Sequence, residues 1–531
     1  MKCKYYSKKG TALVYVLTVI AAASVLFAGT IKFVISHVRY DTTLEPKTQA
    51  LHIAEAGVYF YRWYLAHNIE GKTASQIAAF WNNDPLGVDD NGDDDCDDAD
   101  TADGDGDGTE AYVVDYKDES NNIIGQYKIC VTPPQLYSTV IHIKVIGSTT
   151  SSGVTQKRII TARLRRPSWS EFAILANGMT RLSEGTEVYG PMHVNGGFHF
   201  DGVAHNIVSS SVTTYYDGDG DVHGTRPGVW ASKKPSNPGK DTSVDEDDSE
   251  HFLAGKQFPV VAQDFNSVTA DFDEMRQAAQ SKMVYDEKDH KNIDLYYGRQ
   301  GQGRYIEFGV PSANKMRIRR VRNNGVDWTT YGVTRINNGD TDIFDIPDDA
   351  VIYVRDNVWV KGTIPNGKKI TIAAHDSGWR SPKIFLGEDD IFYEDYEHDT
   401  VLGLAAENDV AFLMKAGLNG HEEGDINASH GSDYEILHID AVLLSQKGRV
   451  GWGYDRDFHN WSERNQWLNK VKDTIELYGA IATNERMGFG YTNGAGYEHR
   501  NLMFDNNLLY SPPPLFPTGN TYAIDLWNEI K

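Results

Sequence analysis

Apolar residues run without a charge from Thr11 to Ile31, as TALVYVLTVIAAASVLFAGTI, and resume as FVIS after Lys32. About 20 such residues let a helix cross a bilayer. The pattern then turns from uniformly apolar to striped, with Leu51, Ala54, Val58, Tyr61 and Leu65 at helical spacing. It predicts one helix over 11–70, with the part from about 11 to 35 in a membrane and the rest on a protein surface. Pro46 should bend this helix without ending it. Lys2, Lys4, Lys8 and Lys9 precede the apolar run, which puts the N-terminus on the cytoplasmic side. The rival reading is a secretory signal, with Ala21-Ala22-Ala23 as its cleavage site, but the apolar stretch runs well past it.

After a polar gap the period shortens. AYVVDY (from Ala111), IIGQYKICV (from Ile123), STVIHIKVIG (from Ser138) and QKRIITARLRR (from Gln156) are separated by turn-rich DESNN, TPPQ and STTSSG. Consecutive strands with short turns predict a four-stranded antiparallel sheet over 111–168, with the helix packed on it. From Glu171 the texture changes again. Short apolar strands alternate with Gly, Asn and Asp turns, as in TEVYGPMHVNGGFHFDG, AVIYVRDNVWVKGTIPNGKKITIAA, TVLGLAAENDVAFLM, EILHIDAVLLSQ and IELYGAIAT. This predicts a large irregular β-solenoid over 169–531, with a β-sandwich as the alternative. An insertion from about 217 to 345 interrupts it and holds one helix, over Ser267–Lys282. The expected class is α+β, mostly β.

Composition adds charge to this picture. The chain has 531 residues and a net charge of -24, too long for one domain and repellent to nucleic acid unless a basic patch is segregated. Much of the acid lies in the gap at 71–110, which reads VDDNGDDDCDDADTADGDGDGTE from Val88. Such density is either a solvated loop or a Ca²⁺ site. Asp103, Asp105 and Asp107 before Gly108 match the start of an EF-hand-type loop, and Asp89, Asn91 and Asp93 alternate similarly. The twelfth position is Val114 in place of the usual Glu, so a true EF-hand is excluded. Asp217, Asp219 and Asp221 form a weaker candidate. Cys96 and Cys130 read as one disulfide in an exported domain, or as two unrelated thiols; Cys3 precedes the apolar run.

No HExxH, GxSxG or Walker motif appears. His193, His199 and His205 are six apart and read as structural, because Gly196-Gly197 and Asp201-Gly202 break any common strand. Trp359, Trp452, Trp461 and Trp467 read either as core or as exposed rings able to stack on sugars.

Two ends of the chain carry a family resemblance. The leader ending Lys8-Lys9-Gly10 resembles type IV prepilin leaders. ALHIAEAGVYFYRWYL (Ala50 to Leu65) is similar to the AEAG-type segment of PilX-like minor pilins. FDNNLLYSPPPLFPTGNTYAIDLWNE (Phe504 to Glu529) is similar to the tails of PilX-like and competence-type minor pilins with large β-solenoid domains. The resemblance implies a leader over 1–10, cleavage after Gly10 by prepilin peptidase, and N-methylation of Thr11. It also implies residence in the bacterial inner membrane, then assembly with other pilins through the helix into an extracellular pilus. Major pilins carry Glu at the fifth residue after the cut, where this chain has Tyr15. That departure implies a tip or priming subunit. The expectation is a non-enzymatic minor pilin that presents its large domain to a surface or host ligand, for adhesion or uptake, without direct nucleic-acid binding. The alternatives are a membrane-tethered carbohydrate-active enzyme of the β-helix lyase kind and a tip pseudopilin of type II secretion.

Overall fold

The computed structural model describes residues 11–69, 72, 74–83, 85–88, 111–134, 140–151, 153–217, 224–232, 244–265, 268–378, 381–414, 436–452, 465–467, 470–490, 494–519 and 522–530. It is mostly strand, behind one long N-terminal helix. That helix, α1 (Thr11–Ile69), is unbroken for 59 residues with Pro46 inside it. Its second half carries the predicted stripe: Ala54, Val58, Tyr61 and Leu65 are buried, and Leu51 is half-buried at the margin.

The stripe packs on β1 (Tyr112–Lys117), β2 (Ile123–Thr132), β3 (Val140–Ser151) and β4 (Val154–Arg165), an antiparallel meander. Alternate residues Ile141, Ile143 and Val145 of β3 face the helix core, as period two requires. Contact is close enough to need glycine. A Cβ at Gly147 would lie 2.1 Å from the Ala50 carbonyl oxygen. Between the helix and β1, a further helix α2 (Ala74–Trp81) and a parallel bridge from Val88 to Val131 occupy part of the segment expected to be all loop.

The sheet is wider than the expected four strands. Its fifth strand, Ala523–Ile530, comes from the far end of the chain and pairs antiparallel with β4, from Ala523↔Arg165 to Ile530↔Ile159. The assignment of all of 169–531 to a second domain is corrected with it. A last strand or tail is expected after Pro512-Pro513-Pro514, but its place in this sheet escapes sequence reading, because its residues are half-buried or exposed throughout and no apolar face marks it. The second body is therefore inserted between two neighbouring strands of the first.

In that body the strands pair in parallel, each with the strand one turn of chain away. One column runs Ile352, Ile372, Leu404, Leu443, Ile481, Ile174, Met192, Val208, each aligned with the next. All are essentially buried. The column breaks chain order once, between Ile481 and Ile174. The chain thus enters the stack in its middle, winds to one end at Lys256–Gln257, and resumes at the other end at Tyr296–Tyr297. Helix α2 is followed in chain order by α3 (Val268–Ser281), which lies in the return connection, within the helix expected over 267–282. The expected insertion is corrected in part. Gly303–Phe308, within it, is a member of the stack, aligned with Val358–Ile364. Lys315–Val321 and Ile336–Asp345 then extend that end as antiparallel strands.

Several of these strands are buried at every position, including Gly303–Phe308 and Val401–Ala406. Both faces are covered, as parallel strands require. Phe272 of α3 stacks on His375 with ring centroids 4.6 Å apart. On another face Thr371 Oγ1 donates to the Pro514 carbonyl at 2.6 Å, and Pro513 sits against Gly403.

Candidate functional site: an apolar helix and a carboxamide-lined pocket

Within the first half of α1, Leu13–Ser36 is not buried against any other described part of the protein. Leu13–Ser36 has mean hydropathy 2.2 and is 0% buried, long and apolar enough to cross a membrane. Its length of 24 residues spans about 36 Å against a hydrocarbon core of about 30 Å. Thr18, Ser24 and Thr30 turn their hydroxyls back to the carbonyls of Tyr15, Ile20 and Phe27, so these polar side chains are satisfied within the helix. Tyr15 is exposed on this segment.

Where the two bodies join, charges tie the crossing strands. Arg163 donates to both Asp525 oxygens at 2.9 and 2.8 Å, and Arg165 Nε reaches the same carboxylate at 2.5 Å. Arg165 also pairs with Glu171, whose carboxylate accepts the Ser168 backbone N–H at 2.5 Å. Burial raises the Asp525 carboxyl, but Arg163 and Arg165 outweigh it and hold it below the usual range.

The stack carries a pocket of about 540 Å³. It forms where three successive corners lie over one another, those preceding Arg304, Val358 and Ile384. They contribute Gln302, Asn357 and Lys383, while the loop after Val321 adds Asn323, Asn324 and Trp328. Gln302 Oε1 accepts from the Gly325 backbone N–H at 2.8 Å, and Asn357 Oδ1 accepts from that of Lys383 at 2.9 Å. Lys383 is paired with Asp409 at 2.7 Å.

The residues singled out in the sequence fall unevenly. Gly10, Asp89, Asn91, Asp93, Cys96, Asp103, Asp105, Asp107, Asp219, Asp221 and Trp461 lie outside the described residues. Thr11 is the first residue of α1. Cys130 is disulfide-bonded. Asp217 is buried; Tyr215 Oη donates to it at 3.2 Å and His199 Nδ1 stands 4.0 Å away. Among the described residues no group of three His, Cys, Asp or Glu is arranged to hold a metal.

His193, His199 and His205 do not share a face. They fall on or beside three successive short strands of one coil. Each has structural partners: His193 with Ser209 and Asn195, His199 with Ser232 and Asp201, His205 stacked on Tyr189. Trp359, Trp452 and Trp467, weighed as exposed sugar platforms, are all core residues, exposed by 2% or less. The pocket's own tryptophan, Trp328, carries no local sequence signal. Its partners Gln302 and Asn357 are far away in sequence, and only the stacking of corners unites them.

No family model matches the chain, and no curated protein does. A solved structure titled as the competence-associated pilin ComZ of Thermus thermophilus aligns over 91% of this chain and 97% of its own, at 12% identity and a TM-score of 0.25. Likeness at that level carries no argument about function.

Proposed function

We propose that this chain is a minor pilin of a type IV pilus. In this reading the first half of α1 anchors it in the bacterial inner membrane and then joins other pilins. The observation that carries the reading is the continuity of α1. A helix that merely tethers a domain needs no rigid connection to it, yet here the apolar half and the docked half are one element. Its internally bonded backbone can leave lipid for a bundle of similar helices without unfolding. Tyr15 in place of a carboxylate fits a terminal, priming position, since a buried carboxylate lacking a partner is costly. The parallel stack is then the part presented outward, for adhesion or uptake, and acts without catalysis. A secretion pseudopilin with a helical head fits this strand-built body poorly.

The test is mass spectrometry of the mature protein from membrane and sheared-filament fractions. The expected N-terminal peptide begins at a methylated Thr11 and depends on prepilin peptidase. An intact leader, or a cut near Ala23, overturns the reading. Immunogold label should sit at filament ends; label along the shaft would remove the tip assignment.

A further inference from the structure

We propose that the pocket at Trp328 binds a neutral saccharide. Its volume of about 540 Å³ lies in the range of small-molecule sites, enough for a few linked sugar rings. The chemistry of the wall argues for the ligand class. Gln302 and Asn357 commit their carbonyl oxygens to backbone N–H groups, which fixes the carboxamide planes. Among the described residues their amide nitrogens have no acceptor. Fixed N–H donors of this kind suit hydroxyl oxygens. Asn323 and Asn324, both exposed in the lining, offer donors and acceptors together, as a polyol requires.

Charge excludes the commoner anionic ligands. The pocket's lysine is already paired with Asp409, the buried Asp356 adds a carboxylate to the lining, and the chain as a whole is at -24. A phosphate or nucleic acid would enter against that field, and among the described lining residues the one cation, Lys383, is already paired. An apolar ligand is equally ill-served by so many amides.

Trp328 supplies the remaining element. It is 39% exposed, unlike the core tryptophans, and its ring meets Phe385 edge-on with centroids 6.4 Å apart. The C–H-rich face of a pyranose carries slight positive charge and packs on the negative face of an indole. The corners that hold the amides are stiff. Gly301, at φ 69°, would place a Cβ 2.1 Å from the Val321 carbonyl oxygen, so the chain approaches there as closely as glycine allows. Adjacent corners are spaced about 4.8 Å apart by the strand ladder, so donors repeat along the stack axis as hydroxyls repeat along a sugar chain.

This inference is independent of the pilus reading; a wrong N-terminus would leave it standing. The test is titration calorimetry on the full chain, in a detergent without a sugar headgroup. The probes are neutral disaccharides of glucose, galactose and N-acetylglucosamine, a sulfated disaccharide and a short single-stranded oligonucleotide. At least one neutral disaccharide should bind with a dissociation constant at or below the millimolar level. Trp328→Ala should weaken it roughly tenfold, about 1.4 kcal/mol. Trp328→Phe should restore most of it, and Gln302→Ala and Asn357→Ala should each weaken it several-fold. Tyr189→Ala, elsewhere on the stack, should leave it unchanged. Melting curves establish that each variant is folded. No heat with any neutral sugar up to about 10 mM, well above the weak end of specific binding, overturns the proposal. So does binding that Trp328→Ala leaves intact, or binding confined to the anionic probes.

Discussion

The helix-on-sheet body and the parallel stack bury their cores by different rules. In the first, one face of each element is covered. Helical spacing in α1 and alternation in β3 follow directly, with Ile141, Ile143 and Val145 inward. In the second, coils cover strands from within while α3 and the proline segment cover them from outside. Alternation vanishes, and Val401–Ala406 is buried throughout. The difference teaches where sequence pattern carries information: it records the number of covered faces before it records the topology.

The two bodies should respond separately to damage. The largest expected effect is in the first. Gly147→Val forces a Cβ into the Ala50 backbone, where no side chain can yield, and should cost roughly 4 kcal/mol or more. Calorimetry should show the helix-on-sheet transition lost or far lowered while the stack's transition stays near its place. Joint loss of both transitions would merge the bodies into one cooperative unit.

A smaller effect is expected at the junction. Asp525→Ala strands Arg163 and leaves Arg165 with Glu171 alone in a mostly covered site, and should cost about 3 kcal/mol. The loss should appear in the first body, since Asp525 belongs to its fifth strand. Hydrogen exchange at β4 should rise, with little change at Ile174–Ala176.

The smallest effect belongs to the stack. Burial pushes the Asp440 carboxyl up to about 6, against hydrogen bonds from the Tyr393 N–H and Tyr396 hydroxyl. A carboxyl raised on folding favours the folded state only while neutral. Its contribution is complete below the unfolded value of 3.8 and is lost as pH rises through about 6. Wild type should therefore fall relative to Asp440→Asn between about pH 4 and 6, by about 2 kcal/mol. A constant difference across that window would contradict the assignment.

Much of the first body was legible in the residues. The stripe from Ala54 to Leu65 and the four meander strands announce themselves through period and turns. The fifth strand's membership of that sheet does not, because Leu526, Trp527 and Ile530 remain exposed and offer no buried face to detect. In the stack, strand texture was legible but order was not. Nothing local in Ile174 or Ile481 says that they will be neighbours. The pocket was hidden for the same reason: Gln302, Asn357 and Trp328 are ordinary loop residues until coil stacking brings them together.

The stack leaves and rejoins the sheet through adjacent strands, β4 and Ala523–Ile530. A load applied to the stack is therefore shared by two tethers, and resisted by shear along paired strands in place of peeling from one. A single cut in any stack loop also releases nothing, since each fragment keeps its own strand in the sheet. The stack is held like a loop of rope made fast at both ends.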